Sequence, residues 1–176
     1  MRTATRLPSD SSSMGTGDAL DLLQRDHRRV ETLFARSAVV SGPAWEETVA
    51  MIIQELTTHA ELEETVVYPA LVQGLGPGAG LVDRAEEEHA GIKDLLARLA
   101  SASGQQPADI EDLRALQLVV QQHVMVEEGA LFPAYRLLAG PGALEQLDSA
   151  AGEARAKAPP PPTFMTTIDD ENGDGR

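Results

Sequence analysis

The chain has 176 residues, of which 42% are apolar and only 3% aromatic. One domain with tails fits that length, and a core built from Leu, Val, Ile and Ala favours packed helices over a β-sandwich. A formal net charge of −14 argues against a nucleic-acid surface and against an anionic membrane, while the lack of cysteine excludes disulfides, zinc–thiolate sites, cysteine-ligated iron–sulfur clusters and cysteine nucleophiles.

Residues 1–17 are rich in Ser, Thr, Gly and Arg, show no periodicity and read as a disordered tail. No apolar segment follows Arg2 and Arg6, so this is not a secretory signal. No run approaches a membrane span either, and the cytoplasm is the expected compartment. From Asp18, a helix N-cap, an apolar stripe runs through Leu20, Leu23, His27, Val30 and Phe34 in steps of three and four. After Ser41-Gly42-Pro43 a second stripe reads Trp45, Val49, Ile52, Leu56, His59, Glu63, Val66 and Ala70. Pro69 lies inside it and is expected to kink or end the helix, because it removes a backbone hydrogen bond. The Gly-rich stretch from Gly74 to Gly80 breaks the pattern, and a third stripe reads Val82, Ala85, His89, Ile92, Leu96 and Leu99. Beyond Ser101 to Pro107 the fourth reads Leu113, Leu116, Val120, His123, Glu127, Ala130, Ala134 and Leu137. Gly140-Pro141-Gly142 closes it, residues 140–157 leave room for one short amphipathic helix, and residues 158–176, with Pro159 to Pro162 and an acidic end, read as a second disordered tail. The expected fold is all-α: an up-down-up-down antiparallel four-helix bundle over residues 18–139.

One stretch is written twice. His59-Ala-Glu-Leu-Glu63-Glu64-Thr-Val-Val-Tyr68-Pro69-Ala70 returns 64 residues later as His123-Val-Met-Val-Glu127-Glu128-Gly-Ala-Leu-Phe132-Pro133-Ala134. Residues four apart share a helix face, so each copy points an imidazole and a carboxylate the same way. The repeat extends further, since Asp26-His27 resembles Glu88-His89. All four histidines of the chain fall on the core seam, one per helix, and Glu63 and Glu127 fall on it too. Distances along the chain to each turn agree to within about one helical turn, about 6 Å, so the six can converge. A buried carboxylate is rare unless paired or bound to a cation. A single histidine on an apolar stripe is more often a core histidine, and a single His-x3-Glu is often a plain helix-face pair. Those readings leave four histidines, two aligned glutamates and a duplicated motif unexplained. Four imidazoles and two carboxylates suit iron, manganese or zinc; they are too many for one tetrahedral zinc and suit two metals with bridging carboxylates.

The order His27, His59-x3-Glu63, His89, His123-x3-Glu127 resembles the hemerythrin family, specifically the bacterial hemerythrin-like proteins with the HHE cation-binding domain. That resemblance implies a bundle around two iron ions. His27 and His59 would hold one, His89 and His123 the other, with Glu63, Glu127 and an oxo or hydroxo group as bridges; manganese or zinc fits the family less well. Oxygen-carrying hemerythrins have a further histidine four residues after the one on the third helix, where this chain has Lys93. The departure favours peroxide decomposition, of a catalase or peroxidase kind, or sensing of iron, O2 or NO over reversible oxygen carriage. The ferritin-like rival needs Glu-x-x-His on two helices; Gln24, Leu56 and Val120 stand where the other carboxylates would be. Two further readings stand beside the di-iron one: a metal- or redox-responsive regulatory module without turnover, read by a partner protein, and a metal-free helical interaction module. The chain is expected to be a monomer or weak homodimer. Around the site, Glu64 and Glu128 are expected either to bond a histidine or to be solvated, Asp26 and Glu88 to be solvated, Tyr68 and Phe132 to pack the bundle end, and Lys93 to snorkel outward.

Overall fold

The structure, a computed structural model, describes residues 18–76, 80–102 and 106–158. Residues 1–17 and 159–176, which carry the two expected tails, lie outside the described residues. The first helix, α1 (Ala19–Ser37), starts at a reciprocal cap: the Asp21 N–H donates to Asp18 Oδ1 at 2.9 Å and the Asp18 N–H to Asp21 Oδ2 at 3.1 Å. Its buried face holds Leu20, Leu23, His27, Val30 and Phe34. Helix α2 (Pro43–Leu62) opens with Pro43 in its first turn, after Gly42 with φ of 58°, a conformation that favours glycine.

At Glu63–Val67 the chain makes a π-helical turn and then resumes as α3 (Tyr68–Leu75). Helices α4 (Gly80–Leu99) and α5 (Pro107–Val126) follow. A second π turn at Glu127–Leu131 leads into α6 (Phe132–Leu138), and α7 (Pro141–Lys157) ends the described chain. The expectation that Pro69 kinks or ends its helix is thus refined. In an α-helix its ring would clash with the carbonyl four residues back, and its missing N–H would orphan that group. The π turn shifts the bonding to five residues, with the Tyr68 N–H donating to the Glu63 carbonyl, and Pro69 falls in the first turn of α3 where no N–H is needed. Phe132 and Glu127 repeat the device ahead of Pro133.

Helices α1 and α2 pair along their lengths, as do α4 and α5, and α2 touches α4 to close a four-helix bundle. No strand occurs among the described residues. The apolar interior is split in two. One cluster holds Leu20, Leu23, Tyr68, Leu71, Phe132 and Tyr135; the other holds Phe34, Trp45, Ile52, Leu96, Leu99 and Leu116. The polar seam lies between them. Helix α7 adds Leu147 and Ala151 to the first cluster. Gly74 makes room there: a Cβ on it would meet the Tyr135 ring at 2.5 Å. Among the described residues no helix is long and apolar enough to cross a membrane.

Candidate metal centre

The six seam residues converge. His27 comes from α1, His59 from α2, His89 from α4 and His123 from α5, while Glu63 and Glu127 each open a π turn. All six are buried, and both glutamates are fully inaccessible. The imidazoles form two pairs, His27 Nε2 to His59 Nε2 at 3.1 Å and His89 Nε2 to His123 Nε2 at 3.2 Å. Glu63 spans the pairs, with Oε1 3.1 Å from His59 Nε2 and Oε2 3.2 Å from His89 Nε2. Glu127 Oε2 lies 3.3 Å from His27 Nε2 and 3.4 Å from His123 Nε2.

Each ring also turns its Nδ1 outward to a carboxylate. His27 Nδ1 lies 2.7 Å from Glu128, His89 Nδ1 2.9 Å from Glu64 and His123 Nδ1 3.3 Å from Glu88. His59 Nδ1 lies 3.7 Å from Asp26, an ion-pair distance rather than a hydrogen bond. The expectation that Asp26 and Glu88 are solvated is therefore corrected. Both sit one residue before a histidine of their own helix, and helix geometry turns them toward the neighbouring helix, where each meets the other histidine of its hairpin. A basic side chain backs every one of these carboxylates: Arg28 on Glu128, Lys93 on Glu64, Arg84 on Glu88 and Arg155 on Asp26. Lys93 does extend outward, but its Nζ lies 2.6 Å from both Glu64 oxygens.

This arrangement decides what the centre can hold. A carboxylate only accepts, so it orients the Nδ1–H toward itself and leaves the Nε2 lone pair facing inward. Two inward lone pairs about 3 Å apart repel unless a proton or a cation lies between them. Glu63 Oε1 and Glu127 Oε2 are buried with no hydrogen-bond partner among the described residues. Ligand atoms of His27, His59, Glu63 and Glu127 lie within 4.8 Å of one another, as do those of Glu63, His89 and His123. The nitrogen and oxygen donors fit two first-row transition-metal ions. Without metal the same groups perturb one another. Burial pulls the His59 imidazole down, but the Glu63 carboxylate, with Asp26 and Glu127, overrides it and holds the ring at about 10. Burial pushes the Glu63 carboxyl up, and His59, His123 and His89 more than reverse this, holding it well below the usual carboxylate range.

Tyr68 is the residue sequence reasoning misplaced. Five residues after Glu63, an α-helix would turn it off the seam; the π turn brings it back above Glu63. Its hydroxyl donates to Glu127 Oε1 at 2.9 Å and lies 3.2 Å from His89 Nε2. Burial and the charges of Glu63 and Glu127 raise its pKa, so it stays a neutral donor. The readable signal was the Pro69 and Pro133 repeat, which demands a local break in helical bonding. At the equivalent position Phe132 stacks on His27, ring centroids 6.3 Å apart and planes 7° apart. The two halves are thus unequal: a hydroxyl faces one and an apolar ring the other. Tyr68→Phe is expected to orphan Glu127 Oε1 and to destabilise the metal-free chain by about 1–3 kcal/mol, read by urea denaturation in chelator; an unchanged midpoint would contradict the bond. Glu55, another buried carboxylate, lies one turn before His59, pairs with Arg29 at 2.7 Å and feels the charges of Asp26 and Arg155.

Access is narrow. A chamber of about 20 Å³ beside all four histidines is walled by Val30, Leu56, Ala60, Ile92, Val120 and Val124. It shares His27, Val30, Val120 and Val124 with an open groove of about 430 Å³ between α1 and α5.

Known proteins share these features. The chain is 32% identical over 117 residues to a DNA nickase of Nostoc sp., covering 66% of this chain and 33% of that protein. It is 26% identical over 113 residues to a hemerythrin-like protein of Schizosaccharomyces pombe, covering 61% and 54%. It therefore spans about a third and about half the length of these curated relatives. The crystal structure of a hemerythrin HHE cation-binding domain-containing protein from Mycobacterium kansasii superposes with a TM-score of 0.68 at 21% identity, over 80% of this chain and 87% of that one, and shares its fold. The hemerythrin HHE cation-binding domain matches residues 18–156, a span that holds all six converging side chains. The chain belongs to the hemerythrin HHE cation-binding domain family, and its buried His/Glu cluster is a metal-binding site.

Proposed function

We propose that this is a di-iron protein that binds or reduces small oxygen species, with His27, His59, Glu63, His89, His123 and Glu127 as the ligands. The observation that carries it is the pair of facing imidazole couples spanned by two fully buried carboxylates, each with an oxygen left unpartnered. Two irons there would supply two-electron redox chemistry toward O2, peroxide or NO. The chain's own residues do the rest. Outer carboxylates fix the histidine tautomers. Tyr68 keeps a neutral O–H at the site and holds Glu127 in place. The apolar walls exclude all but the smallest molecules, because a 20 Å³ chamber holds about one water-sized occupant. That favours O2, NO and peroxide over any organic substrate. Lys93 bonds Glu64 and offers no ligand nitrogen to the centre, which supports the four-histidine set and, with it, peroxide turnover or sensing over simple oxygen carriage. The net charge of −14 and a match to only 33% of the DNA nickase give no support to acting on DNA. We place the protein in the cytoplasm.

The test is metal content per chain with the ultraviolet–visible spectrum of the same sample, followed by peroxide addition. The expected result is two irons per chain, near-ultraviolet charge-transfer bands, and oxygen evolution that scales with iron and disappears in His59→Ala. Failure to hold any transition metal after anaerobic ferrous reconstitution overturns the reading and leaves a helical interaction module.

A further inference from the structure

Three of the four cations that back the histidine–carboxylate pairs come from bundle helices: Arg28 from α1, and Arg84 and Lys93 from α4. All three are more than half exposed. The fourth is different. Arg155 belongs to α7, outside the bundle, and it reaches both oxygens of Asp26, whose side chain is only 9% exposed. Water can replace the exposed cations, but it has little access to Asp26.

We propose that Arg155 is a positioning residue for the metal held by His27 and His59, and that α7 is a strap whose docking and that metal stabilise each other. The inference rests on the metal-binding reading above. Asp26 is the carboxylate facing His59 Nδ1. With Arg155 in place it is buried, paired through both oxygens and held facing the ring. Without Arg155 a buried carboxylate keeps one partner at 3.7 Å, and the outcome is a swing toward solvent. His59 then loses the carboxylate charge that faces its Nδ1 at 3.7 Å and enriches its Nε2; outer partners of metal-bound histidines are typically worth about 10–100-fold in metal affinity.

The rest of α7 explains why this coupling is local. Leu147, Ala151 and Arg155 lie four residues apart on one helix face, with Asp148 three before Ala151. Leu147 and Ala151 are buried in the first cluster with Tyr68, and Asp148 accepts the Ala19 N–H at 2.6 Å. These contacts hold the first part of the strap whether or not the centre is loaded, and Arg155 ties its last turn to the site. The second half has no such strap, because the partners of His89 and His123 are backed from α4. Whatever strap docking adds to metal affinity, the metal must return to strap docking.

The experiment uses the full chain loaded with ferrous iron under anaerobic conditions. Release to a chromogenic chelator is followed for wild type, Arg155→Met, Arg155→Lys and, as a control on the same helix, the exposed Lys157→Met. Arg155→Met is expected to release one of the two irons about tenfold faster and the other at the wild-type rate. Arg155→Lys is expected to restore most of the difference, and Lys157→Met to release both as wild type does. A Glu-specific protease supplies a second readout, cutting after Glu153 beside Arg155 and after Glu145 in the part held in either state. Iron should slow cleavage after Glu153 in wild type, with cleavage after Glu145 as the control, and this protection should shrink in Arg155→Met. Folded Arg155→Met that releases both irons at wild-type rates overturns the proposal, as does wild-type cleavage indifferent to iron; the latter stands even if the methionine variant does not fold. A wild type that holds no iron overturns the metal reading itself, which the loading step shows before any variant is compared.

Discussion

Glu63→Gln is expected to lose tight binding of both metals. Glu63 sets a different oxygen against each half: Oε1 at 3.1 Å from His59 Nε2, and Oε2 at 3.2 Å from His89 Nε2 and 3.8 Å from His123 Nε2. A glutamine fills the same space but carries no charge and turns an NH2 toward one imidazole pair. That NH2 can donate to a bare Nε2 and quiet the lone-pair conflict in the metal-free chain, so the helical fold survives. Toward a cation it is repulsive. Removing one member of a buried charge pair costs about 3–5 kcal/mol, which is a factor of about 100 or more in affinity. Glu127→Gln should cost less on the His89 side, because Tyr68 already occupies one Glu127 oxygen. Competition with a chelator of known affinity, with circular dichroism on the same samples, measures this. A Glu63→Gln chain that keeps both metals at wild-type affinity would remove Glu63 from the ligand set.

Metal loading should also release protons and weaken steeply in acid. A metal takes a neutral imidazole. In the metal-free centre the Glu63 carboxylate, overriding burial, holds His59 at about 10. His123 shifts upward as well; burial opposes the shift, while Glu63 and Glu127 drive it. Below about pH 10 His59 must therefore give up a proton when metal enters. One proton released per metal means about tenfold weaker binding per pH unit, so affinity should fall about 100-fold or more from pH 8 to pH 6. Stability of the metal-free chain follows the same groups. The raised His59 contributes stability that is complete below the unfolded value of 6.5 and is lost as pH rises through about 10. The lowered Glu63 contributes stability that is present above 4.5 and is lost as pH falls through its depressed folded value. The chelated protein should then be most stable between these limits and should lose on the order of a few kcal/mol toward pH 10. Proton release into weak buffer during loading, and urea melts across that range in chelator, check both. Loading that is independent of pH would mean that His59 is already neutral.

The bundle and its six inward residues were legible because they are written in periodicity. Helical stripes in steps of three and four fix which residues share a face, and every candidate ligand lies on one of those stripes. The duplicated His-x3-Glu stretch set the two halves in register, since identical spacing on two antiparallel hairpins places identical groups at matching heights. A buried carboxylate needs a partner wherever it occurs, so Glu63 and Glu127 marked a cation site from composition and pattern.

What lay outside the stripes depended on tertiary structure. Asp26 and Glu88 read as exposed charges, and Glu64 and Glu128 as either histidine partners or solvated groups, because each stands beside a seam residue; only the approach of a neighbouring helix turns them onto an imidazole Nδ1. Tyr68 was placed wrongly because α-helical geometry was carried through Pro69, whereas the chain adds a residue to one turn and lifts the hydroxyl onto Glu127. Arg155 lies 129 residues from Asp26, and no local pattern links them. The sequence determined the fold and which six polar side chains turn inward, because helical periodicity and the cost of burying charge are local rules. The hydrogen-bonded rim, the inequality of the two halves and the strap over His59 were decided by packing, because they depend on which distant side chains meet once the helices are assembled.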